Sequence, residues 1–494
     1  MSDIILSVEN KPVIPKTEKV YRVGTLSYNK RGLIILFCWL LWGDFCYTLM
    51  ETVGPSILPI KLKDLGSSNL IIALIMSTLP SILNLTICPW VSFRSDRYRG
   101  RLGRRIPFIL WTLPFLTMFL IMLGYSEQIG GYIHNLAFAK NGWFSTTTVT
   151  VFLIGLFVVG FQFFNMFVGS VYTYLFNDVV PQQLIGRFLG LFRVVSGLAG
   201  VLFNYFIFKY ARTHMTEIFT GIALLYFFGF GLMCLLVREG QYPPPPEYVD
   251  KRQGVFAGLK TYFVECFSLR FYWYMFGVYT FMGVIGCGAM FMSFFLLDVG
   301  LTLGDIGRLG AYGGGVALCL TYPAGILADK YHPLRIQLTM LGIMLLFSPL
   351  YLIFLFVKMS PHAAYYYIMV VSLACVSSNT LYGASDLPAI MRIFPKERFG
   401  QFCSARAMIC AVGVISGGLI AGLLFDGLKR CYGGSDFAYR WIPAWIWLCQ
   451  VLAFLCLLNG YREWKRYGGM ENYTAPLPGQ KPAVPDVAIT ELAR

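Results

Sequence analysis

Apolar residues in this chain come in long runs separated by short polar breaks. The runs extend over roughly 18 to 28 positions without strict alternation, which predicts helices long enough to cross a bilayer and excludes the strands of a membrane barrel. Spans are predicted at 33–57, 69–92, 107–125, 148–176, 187–210 and 217–237, then at 271–297, 308–328, 336–357, 363–391, 401–427 and 440–460. Between the sixth and seventh, Tyr242-Pro-Pro-Pro-Pro-Glu247 cannot continue a helix, so the spans divide into two sets of six. The expected layout is a polar tail (1–31), a six-helix bundle (32–238), a linker (239–268), a second bundle (269–461) and a tail (462–494). That last tail, with Pro476, Pro478, Pro482 and Pro485, is expected to be disordered.

Composition agrees with the pattern. The chain is 57% hydrophobic and 13% charged, with a mean hydropathy of +0.63; soluble domains carry about 25% charged residues. Its net charge of +15 raises the question of a nucleic-acid partner. With the N-terminus in the cytoplasm, cytoplasmic segments hold about 28 Lys and Arg, and external segments about 10. The positive-inside rule therefore accounts for the charge, and no nucleic acid is expected. Residues 1–31 lack the apolar core of a signal peptide, so both termini are expected on the cytoplasmic side of a cell inner (plasma) membrane.

Chemistry-bearing motifs are few. Most of the thirteen cysteines lie inside apolar runs without metal-ligand spacing and read as small apolar residues. His134, His214, His332 and His362 fall in predicted loops, so no metal or other cofactor is expected. The chain contains no GxxxxGK[ST] and no HExxH, and an enzyme is not expected.

The most polar break between early spans is Ser95 to Ile109, SDRYRGRLGRRIPFI. Its arginines at 97, 99, 101, 104 and 105 would each cost about 2.5 kcal/mol or more at a bilayer centre, so the loop lies in water. A shorter version follows the eighth span: Ser95-Asp96-Arg97-Tyr98 is echoed by Ala328-Asp329-Lys330-Tyr331. Likewise Pro181-Gln-Gln-Leu-Ile-Gly186-Arg-Phe188 is echoed by Pro395-Lys-Glu-Arg-Phe-Gly400-Gln-Phe402. The two bundles thus read as repeats, an arrangement in which solute sites lie between repeats near the membrane midplane.

The stretch Asp96-Arg97-x-x-x-Arg101-x-Gly103-Arg104-Arg105-x-Pro107-Phe108 resembles the long loop signature of the major facilitator superfamily. This form is that of sucrose–proton symporters and glycoside–pentoside–hexuronide cation symporters. The end of the first span, from Gly54-Pro to Pro59 and on to Gly66, is similar to the same helix of sucrose carriers. Ser92 and Ile106 depart from the pattern, where a Gly and an Arg are usual. The resemblance implies an all-α membrane fold of about twelve spans in two pseudo-symmetric six-helix bundles. It also implies a monomeric carrier that moves a small molecule, a sugar or glycoside, with a proton or sodium by alternating access. The rival readings are a carrier of another solute, such as an organic anion or drug-like compound, working by antiport or export, and a transport-dead sensor or membrane enzyme.

Asp44 and Glu51, seven residues apart on one face of the first span, are the candidates for coupling to the cation. The alternative for Glu51 is that, close to Pro55, it lies in water at the far surface. Sugar hydroxyls need amide, carboxyl and aromatic partners, because each unpaired polar group in a dry site costs about 1–3 kcal/mol. Candidates for those partners are Trp42, Tyr47, Asn84, Gln162, Asn165, Asn379 and Tyr382, with Asn204 nearby; Tyr272 to Tyr274 read as interfacial anchors. The fourth span has no acid before Asp178, where sucrose carriers commonly have one.

For gating, Asp96 is expected to face the start of the eleventh span near Gly400 to Ser404, and Asp329 the start of the fifth near Gly186. Arg97, Arg101, Arg104, Arg105 and Lys330 surround them. Arg193 and Arg406 lie inside the fifth and eleventh spans, and Asp386 is a candidate partner of Arg406 in a cytoplasmic gate. Glycines at 197 and 200, 313 to 315, and 413, 417, 418 and 422 are expected at close helix contacts.

Overall fold

A computed structural model describes residues 21–138, 144–241 and 266–476. Among the described residues the chain forms twelve long helical spans and one two-stranded hairpin. The first bundle comprises α1 (Lys30–Asp64), α2 (69–97), α3 (Ile106–Gly124), α4 (Thr146–Val179), α5 (Ile185–Tyr210) and α6 (Met215–Leu236). The second comprises α7 (270–298), α8 (Leu303–Lys330), α9 (Pro333–Leu355), α10 (Pro361–Ile393), α11 (Phe399–Cys431) and α12 (Asp436–Arg466). Ten are long and apolar enough to cross a membrane by themselves, and α7, bent by 43° between Ala289 and Met292, makes an eleventh. The twelfth, α8, is diluted by glycine and packs on α5 and α10. This is a multi-pass all-α membrane fold.

Helix starts follow local chemistry. The side chains of Asn29, Ser145 and Ser360 accept from the free backbone amides of Gly32, Thr148 and Ala363, and Thr302 with Asp305 forms a capping box at α8. Helix α1 outruns its predicted end at 57, continuing through Pro55 and Pro59 to Asp64. Proline is tolerated within membrane helices because neighbouring groups satisfy the freed carbonyls. Single π-helical turns interrupt α2 at Leu74–Thr78, α5 at Phe203–Ile207 and α6 at Tyr226–Phe230.

The described parts of both expected tails and of one loop carry more structure than the sequence suggests. Residues 21–28 form a hairpin of β1 (Tyr21–Val23) and β2 (Leu26–Tyr28), turned at Gly24 with φ 53° and tied to the end of the first bundle by the Gln241 amide donating to Thr25. A helix at Ser126–Ile133 occupies part of the predicted 127–147 loop. At the other end the Tyr473 hydroxyl donates to the Ile393 carbonyl, and the Tyr272 hydroxyl to that of Pro476. Tyr272 is therefore a buried core residue rather than an interfacial anchor, because it closes the bundle over the returning chain. The Tyr242–Glu247 proline run and residues 477–494 lie outside the described residues.

Candidate functional site

The two bundles meet along a seam, and the contacts across it gather at the end opposite the basic loops. There α2 crosses α11 so closely that a side chain at Gly422 would lie 2.7 Å from the Leu70 backbone. Gly307 and Gly310 of α8 bring it against Asn204 of α5 in the same way. Of the glycines expected at contacts, 197, 314, 413, 417, 418 and 422 are at tight approaches, while 200 and 315 face open space.

Polar groups reinforce this far end. Asp426 of α11 accepts from the backbone amides of Asn69 and Leu70 at 2.8 and 3.0 Å, placing a carboxylate on the N-terminus of α2. Lys63 of α1 pairs with Asp436 at 2.8 Å and lies 4.5 and 4.3 Å from the ring centres of Phe294 and Tyr439. The Tyr439 hydroxyl donates to the Asn69 amide oxygen at 2.8 Å. No single apolar pattern pointed to this latch, although opposite charges at the ends of the first, eleventh and twelfth spans were visible. At the basic-loop end, side chains added at Gly186, Gly190 and Gly400 would meet open space, and Leu189, Leu191 and Val194 are exposed. The seam is thus latched at the far end.

Beneath the latch lies a cavity of about 440 Å³ between the bundles, walled by α1, α5, α7, α8, α9 and α10. Its lining is mostly apolar, with Met290, Met292, Leu296 and Leu309, and with Ser56, Asn204, Ser293 and Ser372 as polar points. Glu51, one turn before Pro55 at the cavity wall, is exposed. One of its oxygens accepts from the Asn165 amide at 2.6 Å, and the Asn165 oxygen receives a longer contact from the Tyr47 hydroxyl at 3.5 Å. Asp44, 1% exposed, turns toward α5: Ser196 donates to it at 2.6 Å and Thr48 at 3.4 Å. Ser196 has one hydroxyl proton and also lies 3.0 Å from the Phe192 carbonyl, the longer of its two contacts. The two acids share a helix face yet belong to separate networks.

Other predicted residues divide by helical spacing. Asn84 follows Ser77 by seven residues, and Ser77 meets Cys287 across the seam, so exposed Asn84 is on the seam face of α2. Asn379 follows the cavity residue Ser372 by the same interval and is also exposed. Gln162 is partly exposed, one turn before Asn165. Arg193 is exposed. Trp42 is nine residues from Glu51, hence on the opposite face of α1; it stacks on Phe45 and packs beside Gly229 of α6. It does not line the site that Glu51 faces.

Tyr382 is buried inside the second bundle, with no hydrogen bond to its hydroxyl. Asp386 and Arg406 also lie together within that bundle, with no ion pair within 4 Å between them, and Arg406 stacks over Tyr279 at 4.7 Å. A gate between bundles needs partners on opposite sides of the seam, and these two residues are on the same side.

The basic loop is clamped to its own bundle. Arg104 contacts Asp178 at 2.5 and 2.9 Å, and Arg105 contacts it at 3.2 Å while donating to Ser95 at 2.6 Å. Glu239, beyond α6, accepts from the amides of Arg104, Arg105 and Ile106 and so caps α3. Arg101 and Lys330 are exposed. The side chains of Asp96, Arg97 and Asp329 lie outside the described residues. In the second bundle His332 takes the capping position at α9, accepting from the Leu334 amide and stacking on Trp464 at 4.2 Å. Burial first, then Arg392 and Arg335, lower its pKa to about 4.

Residues 208–417 match the family pattern described as Major Facilitator Superfamily. The chain is similar in fold to the nucleoside transporter NupG, with a TM-score of 0.64 at 10% identity over 86% of this chain and all of that one. It is also similar to a bacterial homolog of the human lysosomal transporter Spinster in an inward-facing and occupied conformation, with a TM-score of 0.62 at 15% identity over 90% of this chain and 98% of that one. Over residues 208–417 the chain thus resembles the major facilitator superfamily, and its fold is the one these transporter structures share. Among curated proteins it is 25% identical to the general alpha-glucoside permease of Schizosaccharomyces pombe (strain 972 / ATCC 24843) over 171 residues, 33% of this chain and 30% of that protein. The chain thus aligns with less than a third of that relative's length.

Proposed function

We propose that this protein is a secondary active carrier, not an enzyme, that imports a sugar or glycoside together with a proton. The observation that carries the reading is Glu51: an exposed acid beside a cavity between the bundles, held by the neutral amide of Asn165 and forming no ion pair among the described residues. An unneutralised carboxylate opposes closure of a low-dielectric seam around it, and a bound proton removes that cost. Substrate hydroxyls would supply part of the hydrogen bonding that Asn84, Asn165, Gln162 and Asn379 otherwise take from water. The far-end latch of Lys63, Asp426, Asp436 and Tyr439 would break when the carrier turns outward, so proton and solute act by favouring one arrangement over the other. The glucoside permease relative supports the solute class. The positive-inside rule supports an orientation with the basic loops and both termini in the cytoplasm; the proposal places this carrier in the plasma membrane as a monomer, with Asp96 and Asp329 as gate elements.

A second reading follows from the cavity's apolar walls: Met290, Met292, Leu296 and Leu309 suit a less polar organic solute better than a disaccharide. Proteoliposomes separate the two. With a pH gradient, labelled α-glucoside should accumulate in wild-type vesicles; Glu51→Gln should lose accumulation yet keep exchange of internal for external solute. Wild-type vesicles that accumulate no glycoside under either a proton or a sodium gradient would refute the sugar reading.

A further inference from the structure

We propose that a groove on the outer flank of the first bundle binds an anionic phospholipid, from the leaflet on the side of the basic loop. The groove encloses about 650 Å³ between α2, α3 and α4, and none of its residues is shared with the cavity between the bundles. Its walls are aromatic. Trp90 of α2 and Trp111 of α3 meet Phe167 of α4 at interplanar angles of 82° and 61°, with ring centres 6.0 and 5.9 Å apart, and Tyr98 meets Phe108 edge to face at 5.3 Å near the loop. Trp90 and Trp111 remain 51% and 54% exposed. Helix α3 packs on α4 and α6, so this flank faces the bilayer rather than the seam.

Position and charge select the occupant. The groove begins at the helix end where Tyr98 and Pro107 adjoin the basic loop, and runs about 12 Å into the membrane to Trp90, by helical rise. Arg94 stands within its wall, its guanidinium 5.6 Å from the Trp90 ring centre, and Arg99 and Arg101 follow on the loop. The acids nearest that loop in the described structure, Asp178 and Glu239, are taken up by Arg104, Arg105 and the backbone of α3. A guanidinium at headgroup depth above an apolar slot matches a phosphate with an acyl chain beneath it. An ordinary aromatic belt places single rings at the interface; here the rings wall a concavity with a cation at its mouth.

Native mass spectrometry of the full chain, released from micelles carrying equal phosphatidylglycerol and phosphatidylcholine, tests this. Wild-type protein should retain one phosphatidylglycerol at least fivefold more often than phosphatidylcholine. Arg94→Gln should bring that ratio near one, Trp111→Ala should reduce retention of phosphatidylglycerol, and Arg335→Gln, at the same membrane face of the other bundle, should keep the wild-type ratio. Folding is controlled by melting each variant in phosphatidylcholine and with added phosphatidylglycerol, the expected loss being of the phosphatidylglycerol-dependent rise in Tm alone. Equal retention of the two lipids by wild type, or an undiminished preference in either groove variant, overturns the proposal. Should Arg94→Gln fail to fold, Trp111→Ala decides by the same criteria.

Discussion

The two bundles share a fold but hold their membrane-embedded charge differently. In the first, Asp44 and Glu51 lie on one helix face and are held by neutral donors, Ser196, Thr48 and Asn165. In the second, Asp386 shares its site with Arg406, while Asp386 Oδ1, Arg406 Nε, the Tyr382 hydroxyl and Gln337 Nε2 make no hydrogen bond. Among the described residues, one bundle holds acids without a protein cation beside them; the other encloses its own countercharge. Among the described residues, pseudo-symmetry therefore extends to the backbone and not to the chemistry of these embedded charges.

The most severe test of that difference is Asp44→Asn, which should reduce proton-driven uptake at least tenfold, about 1.4 kcal/mol or more, while leaving exchange measurable. Full gradient-driven uptake by this variant would remove Asp44 from coupling. Next in size is the clamp on the basic loop. Asp178→Asn removes the Asp178 carboxylate from Arg104 and from Arg105, the latter 5% exposed, and should cost about 3 kcal/mol, read as a lowered Tm. An unchanged Tm would mean that the Asp178 pairing does not hold the loop.

A smaller effect is expected in the second bundle. Asp386→Asn and Arg406→Gln should each destabilise, and the double variant should recover about 1 kcal/mol relative to their sum if the two residues act as a pair. Strict additivity would show that they do not, and would weaken the contrast drawn above.

The loops sharpen the same comparison at the smallest scale. Glu239 caps α3 with a charged carboxylate, whereas His332 caps α9 with a neutral ring. A histidine whose folded pKa is about 4, against about 6.5 when unfolded, binds fewer protons folded than unfolded between those values. Stability from this group is complete above about pH 6.5 and declines as pH falls toward 4. Thermal melts should therefore show a fall in Tm over that range that is shallower in His332→Asn. Identical pH profiles would mean that His332 is solvated.

Much of the architecture is legible in the chain alone. Twelve spans, two repeats and the solvent-facing basic loop follow from apolar run length and from the cost of placing arginine in lipid. Asp44 and Glu51 stood out for the same reason, since an acid in an apolar run needs a partner or a function. The partners themselves were not legible: Ser196 is 152 residues from Asp44, and Asn165 is 114 from Glu51. Trp42 and Tyr382 show the same limit, since composition makes both plausible sugar contacts while packing turns one to the opposite helix face and buries the other. The latch of Lys63, Asp426, Asp436 and Tyr439 depends on which helix ends meet across the seam. Hydropathy along a chain records how much each segment avoids water; only tertiary packing decides which side chains share the space that remains.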